Sequence, residues 1–547
     1  MSRKRQGKAT LWTLAFLLAA ATASVLVIKR KSPGLSGKEF GGAPEIYGKQ
    51  CAPCHGAEGF GDGKAAYLLR PRPRDFSQGK FLLVSTDNRV PTDEDLFRTI
   101  SRGMPGSAMP PWGHLPENDR RALVRYIRTL AFEGKVKRLM GFTEKLEAGK
   151  PLSRKAAEEV AGYQLEVGKS LELPPEAPVS QPILEQGRKV YVATCAKCHG
   201  REGRGDGPEN MEDDLGFRAF PRDFTKGVFK GSPEAKELAY RIRGGMPGSA
   251  MPTSEFRGSE DLWAVVHYVR SLIQPGAQER VAQRRQTIVA RRASELPGDP
   301  LAPGWDSLPA TYIVLMPLWW RDERIEGVDV RAAHDGETLA IQITWKDATA
   351  NQEQAHVTTF GDAAALQFSS LADPPFFGMG DAAAAVNIWL WKAAWEQDLI
   401  TRNGPAPTHP RAMMDFDISV KQPGPGVAAH VPSKAEDRDP TFYAGWGAGN
   451  LISNPHRQTA VEDLNAKGFG TLQAKGLPAQ VVRGRGTWKD GIWRVVFVRR
   501  LTPSATGDVR FQPGRSVRIG FGVWDGEQGD RNGQKSVTIW HDLALAP

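Results

Sequence analysis

Cysteine is scarce in this chain, four among 547 residues, and only ten histidines accompany it. Charge of one sign is never concentrated. The net charge is +10, but Lys and Arg are spread along the chain, which leaves no electrostatic footprint for nucleic acid. A single long apolar run is present, and a mean hydropathy of −0.41 excludes a polytopic membrane protein. With 40% hydrophobic and 24% charged residues, a mostly disordered chain is excluded as well. No phosphate-cradling glycine loop, carboxylate dyad or nucleophile–base pair is legible, so no substrate chemistry of the chain's own is read. At roughly 100–200 residues per domain, the length allows about three or four domains.

The apolar run is Leu11–Ile28, 18 residues without a charge, flanked by Arg3, Lys4, Arg5 and Lys8 before it and by Lys29, Arg30 and Lys31 after it. Its length suits a bilayer crossing. Ala21-Thr22-Ala23 would suit signal peptidase, but Val25–Ile28 continues the run past that site, so an uncleaved anchor is the expectation.

The four cysteines fall into two identical spacings, Cys51-Ala-Pro-Cys54-His55 and Cys195-Ala-Lys-Cys198-His199. C-x-x-C-H is the attachment signature of c-type haem: two thiols add to the haem vinyls and the adjacent histidine reaches the iron. Zinc would want a second matched ligand pair, and a redox dithiol would want a βαβ context. Both motifs lie in a longer repeat. One copy continues GAEGFGDG, PRDFSQGKF, ISRGMPGSAMP and VRYIRTL; the other continues GREGRGDG, PRDFTKGVF, IRGGMPGSAMP and VHYVRSL. Ala122, Leu123, Tyr126, Ile127 and Leu130 recur at helical spacing, as do Leu262, Val265, Val266, Val269 and Leu272. With all four cysteines consumed, no disulfide is available.

Both copies resemble class I cytochrome c domains, over 40–135 and 181–275. The resemblance implies a sixth iron ligand in a G-x-x-M-P loop, which falls on Met109 and Met251. Met104-Pro105 and Met246-Pro247 form a second Met-Pro pair in each copy, read as loop packing. His/Met ligation fills both axial positions, which suits electron transfer and argues against a peroxidase. Arg74-Asp75 and Arg222-Asp223 are read either as propionate partners or as local turn ion pairs. The recurring Tyr47, Tyr126, Tyr191 and Tyr268 are read as pocket packing. His114 and His267 are expected to face solvent. Residues 136–180 and the basic stretch 276–305 read as partly helical linkers.

From 306 onward the texture changes, and twelve of the fifteen tryptophans lie from Trp305 on. Leu339, Ile341, Ile343 and Trp345 alternate with polar or small residues, as do Trp493, Val495 and Phe497, and Val517, Ile519, Phe521 and Val523. Turn signals at His334-Asp335-Gly336, Lys489-Asp490-Gly491 and Asp525-Gly526 separate them, an antiparallel β-sandwich pattern. The segments VDVRAAHDGETLAIQITWKDAT (328–349), PPFFGMGD (374–381), VNIWLWKAAW (386–395), AGWGAGN (444–450) and QKSVTIWHDL (534–543) resemble the haem-b-binding γ subunit of ethylbenzene dehydrogenase and related molybdenum enzymes. That resemblance implies one haem b held between a Met and a Lys, here Met379 and Lys535. Gly378 is an extra residue relative to the family's P-x-x-M-G pattern. Lys392 and Lys467 are the reserve ligands, and His409, His430, His456 and His541 are read as surface or turn residues.

The expected fold class is therefore multidomain: an N-terminal transmembrane helix within 1–31, two all-α cytochrome c domains and a C-terminal antiparallel β-sandwich over 306–547. The resemblances imply two covalent haem c groups and one non-covalent haem b. They also imply a molybdenum-containing catalytic subunit and an iron–sulfur subunit as partners, of the nitrate reductase or nitrite oxidoreductase type. A quinol-oxidising complex or soluble cytochrome would complete the electron path. The soluble domains would then lie on the periplasmic side of the cytoplasmic membrane. Two alternatives remain: a dihaem cytochrome with a haem-free docking or ligand-binding sandwich, and a dihaem oxidoreductase acting alone.

Overall fold

The computed structural model describes residues 40–144, 152–256, 258, 260–353, 357–401, 457–503 and 507–547. The segment 444–450 and His409, His430 and His456 lie outside the described residues. So does Leu11–Ile28. Among the described residues no helix is long and apolar enough to cross a membrane. The transmembrane helix of the expected fold class is therefore corrected: the described fold is two helical domains followed by a β-rich region. Even the 28-residue helix Glu117–Glu144 carries charges along its length and packs one face, including Leu123, Ile127 and Leu130, into the first helical domain.

Each helical domain is built the same way. In the first, helix Asp93–Arg102 starts on a capping box in which Thr92 and Asp95 satisfy each other's backbone N–H groups. Its counterpart in the second domain is Ala235–Gly244. The periodic residues of the sequence bury as their spacing implies, with Leu262, Val265, Val266 and Val269 inside on helix Asp261–Ser271. The connection between the domains is packed. Helix Arg154–Gln164 buries Ala157 and Ala161 against Val136, and Leu171 N–H donates to the Ser85 carbonyl at 2.8 Å. His267, expected in solvent, is buried on this side, 2.9 Å from the Ala177 carbonyl through Nε2.

The C-terminal region forms one sheet from β1 (Thr287–Arg292), β2 (Thr311–Val314), β3 (Met316–Pro317), β4 (Gly327–His334), β5 (Thr338–Lys346), β6 (Ala363–Ser369), β7 (Val386–Lys392), β8 (Val461–Ala466), β9 (Gln473–Ala474), β10 (Arg483–Lys489), β11 (Ile492–Arg500), β12 (Ser516–Trp524), β13 (Ser536–Val537) and β14 (His541–Leu545). The order along the sheet is β10-β11-β5-β4-β1-β14-β12-β6-β7-β8-β9. The sheet folds over on itself: a Cβ at Gly486 on β10 would run into the Trp391 ring of β7. Between the layers lie Leu339, Ile341, Ile343, Trp345, Trp389, Trp391, Trp493 and Phe497. The alternation in the sequence is thus a core-facing row.

The sheet is not wholly antiparallel. β1 runs parallel to both its neighbours, β14 and β4, and it lies in the stretch read as a basic linker. Its Arg291 and Arg292 are exposed while Ile288 and Ala290 enter the core, so the basic side chains hid a strand.

At one rim of the core, Asp362 accepts from the Asn351 N–H, the Gly526 N–H and the Trp493 indole at 2.7, 2.8 and 3.0 Å. Asp347 accepts from Thr349 N–H at 3.1 Å. Burial raises Asp347 to about 6, and burial followed by the charge of Asp347 raises Asp362 to about 7. A folded-state value above the unfolded one means that the folded form holds the proton more tightly. Stability from this pair is complete below the ordinary carboxylate range and is lost as pH rises through about 7. Thermal unfolding followed by tryptophan fluorescence is expected to show Asp362→Asn faring better relative to the wild type at pH 8 than at pH 5, because the amide cannot ionise.

Candidate haem sites

In the first domain the chain enters the motif through the π-helical turn Tyr47–Cys51 and leaves through the short helix Ala52–His55. The second copy enters through helix Gln181–Thr194 and leaves through Ala196–His199. Gly56 and Gly200 then turn the chain at φ 80° and 75°, where a Cβ would strike Asp62 or Asp206. The buried Tyr47 and Tyr191 hydroxyls each donate at 2.8 Å to the carbonyl of that glycine, so both tyrosines lock the motif helix to its exit turn.

The histidine rings are held on two sides. His55 Nδ1 lies 3.0 Å from the Arg74 carbonyl, and His199 Nδ1 lies 3.3 Å from the Arg222 carbonyl. A proton shared with a carbonyl must sit on Nδ1, which leaves Nε2 as the free lone pair. Phe76 stacks on His55 at 4.8 Å and Phe224 on His199 at 4.4 Å. Burial pushes both imidazoles below their ordinary value, His199 to about 4, and so favours the neutral ligating form. Burial also pushes the Cys51 and Cys54 thiols up to about 12, the opposite of what a redox dithiol needs.

Opposite the histidine, the helix Asp93–Arg102 ends at Gly103 and a tight loop follows. Met104 N–H donates to the Met109 carbonyl at 3.0 Å, and Ser107 Oγ donates to the Met104 carbonyl at 2.7 Å. Met246, Ser249 and Met251 repeat both contacts at 3.0 and 2.8 Å. A Cβ on Gly103 would lie 2.5 Å from the Pro110 carbonyl carbon, so only glycine closes the loop. Cys51, Cys54, His55, Met104 and Met109 all line one cavity of about 170 Å³. The donor set around this cavity, two thiols, one imidazole and two thioethers, fits a covalently held haem. In the second copy Cys195 and Met251 pack against a single core with Phe224 and Tyr191. The Arg–Asp pairs are not local ion pairs. Asp75 instead caps Ser77 and pairs with Arg138 at 2.5 Å, and Asp223 caps Thr225.

The C-terminal candidates also come together. Met379 is held in the left-handed conformation at φ 71°, a costly state for a non-glycine residue that marks functional loops. The loop is strapped down by Gly380 N–H to the Phe376 carbonyl at 3.1 Å, Gly468 N–H to the Met379 carbonyl at 2.8 Å and the Trp540 indole to the Pro375 carbonyl at 2.8 Å. Met379 packs with Trp524, Trp540 and Leu390 over a sheet face away from the main core. Lys535 precedes β13, whose register places it opposite Trp524, and its Nζ lies 4.3 Å from that ring's centre. Burial pushes the ammonium down to about 8, toward the neutral form that a ligand requires. Gly522 and Ala365 pair on this face, and their missing bulk leaves a flat floor. The residues fit a non-covalent haem. The reserve lysines fit less well: Lys392 is paired with Glu462 at 2.6 Å, and Lys467 is exposed. His541 is buried in β14, and its Nδ1 accepts from Gln286 N–H at 3.1 Å.

Comparison with known families agrees with this division. The ethylbenzene dehydrogenase family model matches residues 320–536, a model for subunit III of cbb3-type cytochrome c oxidase matches 42–127, and a cytochrome c model matches 184–272. Residues 320–536 belong to the ethylbenzene dehydrogenase family, behind two cytochrome c domains. Cytochrome c domains imply covalently held haem. A Haloferax mediterranei protein named as a respiratory nitrate reductase heme subunit is 26% identical over 47% of this chain and 71% of its own length. The gamma subunit of chlorate reductase from Ideonella dechloratans is 26% identical over 49% of this chain and 88% of its own. A chain of the reducing HAO-like protein complex of Kuenenia stuttgartiensis is 34% identical over 45% of this chain and 100% of that one, with a TM-score of 0.35.

Sequence reasoning missed the phenylalanines that join two sites. Phe376 and Phe377, next to Met379 in the C-terminal domain, line the cavity of the first cytochrome domain. Their only signal was the aromatic pair in PPFFGMGD. In each cytochrome domain the tyrosine–glycine bond closes the motif. Tyr47→Phe removes one of two hydrogen bonds to the Gly56 carbonyl, which keeps the Gly59 N–H at 3.2 Å, and is expected to cost about 0.5–1.5 kcal/mol, read by denaturant unfolding, with Tyr191→Phe giving a similar loss.

Proposed function

We propose that the chain is the haem-bearing electron-transfer subunit of an oxidoreductase of the nitrate or chlorate reductase type. It would pass electrons between a molybdenum-containing catalytic subunit, met through an iron–sulfur subunit, and a quinol-oxidising complex or soluble cytochrome. The names of its relatives support the first part of that reading. Covalent haem attachment takes place on the outer side of the cytoplasmic membrane, which supports a periplasmic location for the described domains.

One observation carries the relay reading: the loop that presents Met379 also walls the first cytochrome cavity through Phe376 and Phe377. Haem held by Cys51, Cys54, His55 and Met109, by Cys195, Cys198, His199 and Met251, and by Met379 and Lys535 would supply a one-electron couple at each site. The chain's own residues do the rest. Arg74 and Arg222 carbonyls fix the histidine tautomers, and the glycine-closed loops hold a thioether opposite each imidazole. Phe376, Phe377 and Trp540 exclude water between the C-terminal site and the first cytochrome site. The second cytochrome domain touches the first through ion pairs such as Arg98–Glu237 at 2.6 Å. In this reading electrons pass between the C-terminal site and the first cytochrome site and on to the second, whose domain also touches the C-terminal domain through Lys226–Glu326 at 2.9 Å.

A pyridine haemochrome spectrum of the purified chain is expected to give c-type and b-type haem in a ratio of two to one. Met379→Ala is expected to remove the b-type component and keep both c-type haems. A chain without b-type haem would instead be the dihaem cytochrome with a docking sandwich. Met109→Ala is expected to lower the midpoint potential of one c-type haem in spectroelectrochemical titration, whereas Met104→Ala leaves it in place. The reverse result would make Met104 the ligand.

A further inference from the structure

The two cytochrome domains meet along a seam of cations. Arg222 of the second domain is buried, and its Nη2 donates to the Pro105 and Gly106 carbonyls of the first domain's methionine loop at 3.3 and 3.0 Å. Arg74 returns the contact: its guanidinium lies so close to Gly248 of the second methionine loop that a Cβ there would overlap it. Lys230 of the second domain reaches the cavity of the first, where it becomes part of the wall beside Arg74.

None of these three cations forms an ion pair among the described residues. Arg222 Nε has no hydrogen-bond partner at all. The nearby carboxylates are engaged elsewhere: Asp75 with Arg138, Asp214 with Lys80, Asp223 with Thr225, and Asp213, which is near enough to act on Arg74 and Lys230, with the Leu215 and Phe217 N–H groups. Burial, and after it the charges of Arg222 and Arg74, drive the Lys230 ammonium down to about 7 against the pull of Asp213. Buried charge is tolerated where a counter-charge meets it. A haem in the first cavity brings two carboxylates of its own.

We propose that Lys230, contributed by the second cytochrome domain, binds a propionate of the haem held in the first domain, so that docking of the two domains completes the first haem site. This rests on the haem c reading of the cavity and not on the identity of any partner subunit. The repeat itself points the same way. Lys230 falls at the position of Leu82 in the first copy, so the cation is present only in the copy that can deliver it across the seam.

The test uses the full-length holoprotein, with haem content verified by the pyridine haemochrome spectrum. Lys230→Gln is expected to lower the midpoint potential of one c-type haem and to shift the propionate bending band in the resonance Raman spectrum. Lys230→Arg is expected to keep both near the wild-type values. Met251→Ala identifies the second haem, which is expected to keep its potential in Lys230→Gln. If Lys230→Gln does not accumulate, Lys230→Leu, which restores the residue of the first copy, serves in its place with the same expectations. The proposal is overturned if the neutral variant leaves both c-type potentials and the propionate band unchanged, or if the second haem alone responds.

Discussion

The backbone carbonyl of one arginine in each cytochrome domain is the contact from which the rest follows. Arg74 and Arg222 take the Nδ1 proton of the motif histidine, and that choice of tautomer points the ligating nitrogen into the cavity. A metal ligand with a free ring would have to be ordered on binding, at a cost in rotamer entropy. Here stacked Phe76 and Phe224 have already removed that freedom. The same arginines carry guanidinium groups that reach the opposite domain's methionine loop. One residue therefore sets the proximal ligand of its own site and braces the distal loop of the other. The two sites cannot be displaced independently without breaking one of these contacts.

The sandwich solves a different problem, presenting two apolar surfaces at once. Its inner space is filled by tryptophans and phenylalanines from both layers, with Trp391 and Trp493 rings 4.9 Å apart. The outward face of β6, β7, β8 and β12 is apolar too, but it is kept low by Ala365 and Gly522. A bulky residue at either position would occupy the floor over which Met379 and Lys535 stand. The strained backbone of Met379 is sustained by hydrogen bonds from neighbouring loops, which is how a rigid frame stores such a conformation. Trp320 ties this domain to the second cytochrome domain, lying between the guanidinium groups of Arg222 and Arg324 at 4.0 and 4.4 Å.

Covalent chemistry made the cytochrome sites legible in the sequence. Two thioethers and a histidine demand fixed spacing, and the glycines that follow are needed where a Cβ would collide, so the repeat could be read letter by letter. Alternation along β5, β11 and β12 was equally plain, because each strand has one face in a dry core. What escaped notice was set by distant partners. β1 was hidden among arginines because only Ile288 and Ala290 meet the core, and its parallel pairing depends on strands far along the chain. His267 looked solvent-facing because the segment that covers it, near Ala177, is 90 residues away. Leu11–Ile28 was read from an uncharged apolar run that continues past Ala21-Thr22-Ala23, and it lies outside the described residues.

Duplication offers a final means of separating the two kinds of constraint. The residues that build the motif and its loop are kept alike: the cysteines, the histidine, the tyrosine lock, the stacked phenylalanine and both methionines of the loop. At two positions where the copies part, one member meets a segment outside its own repeat unit. Arg125 is exposed in the first copy, while its counterpart His267 is buried against the connecting segment. Leu82 lines its own cavity, while its counterpart Lys230 lines the neighbour's. A shared pocket chemistry with divergent seams is what a chain needs if two copies of one unit are to take unequal places, the first sharing its cavity wall with the sandwich and the second lending that cavity a lysine.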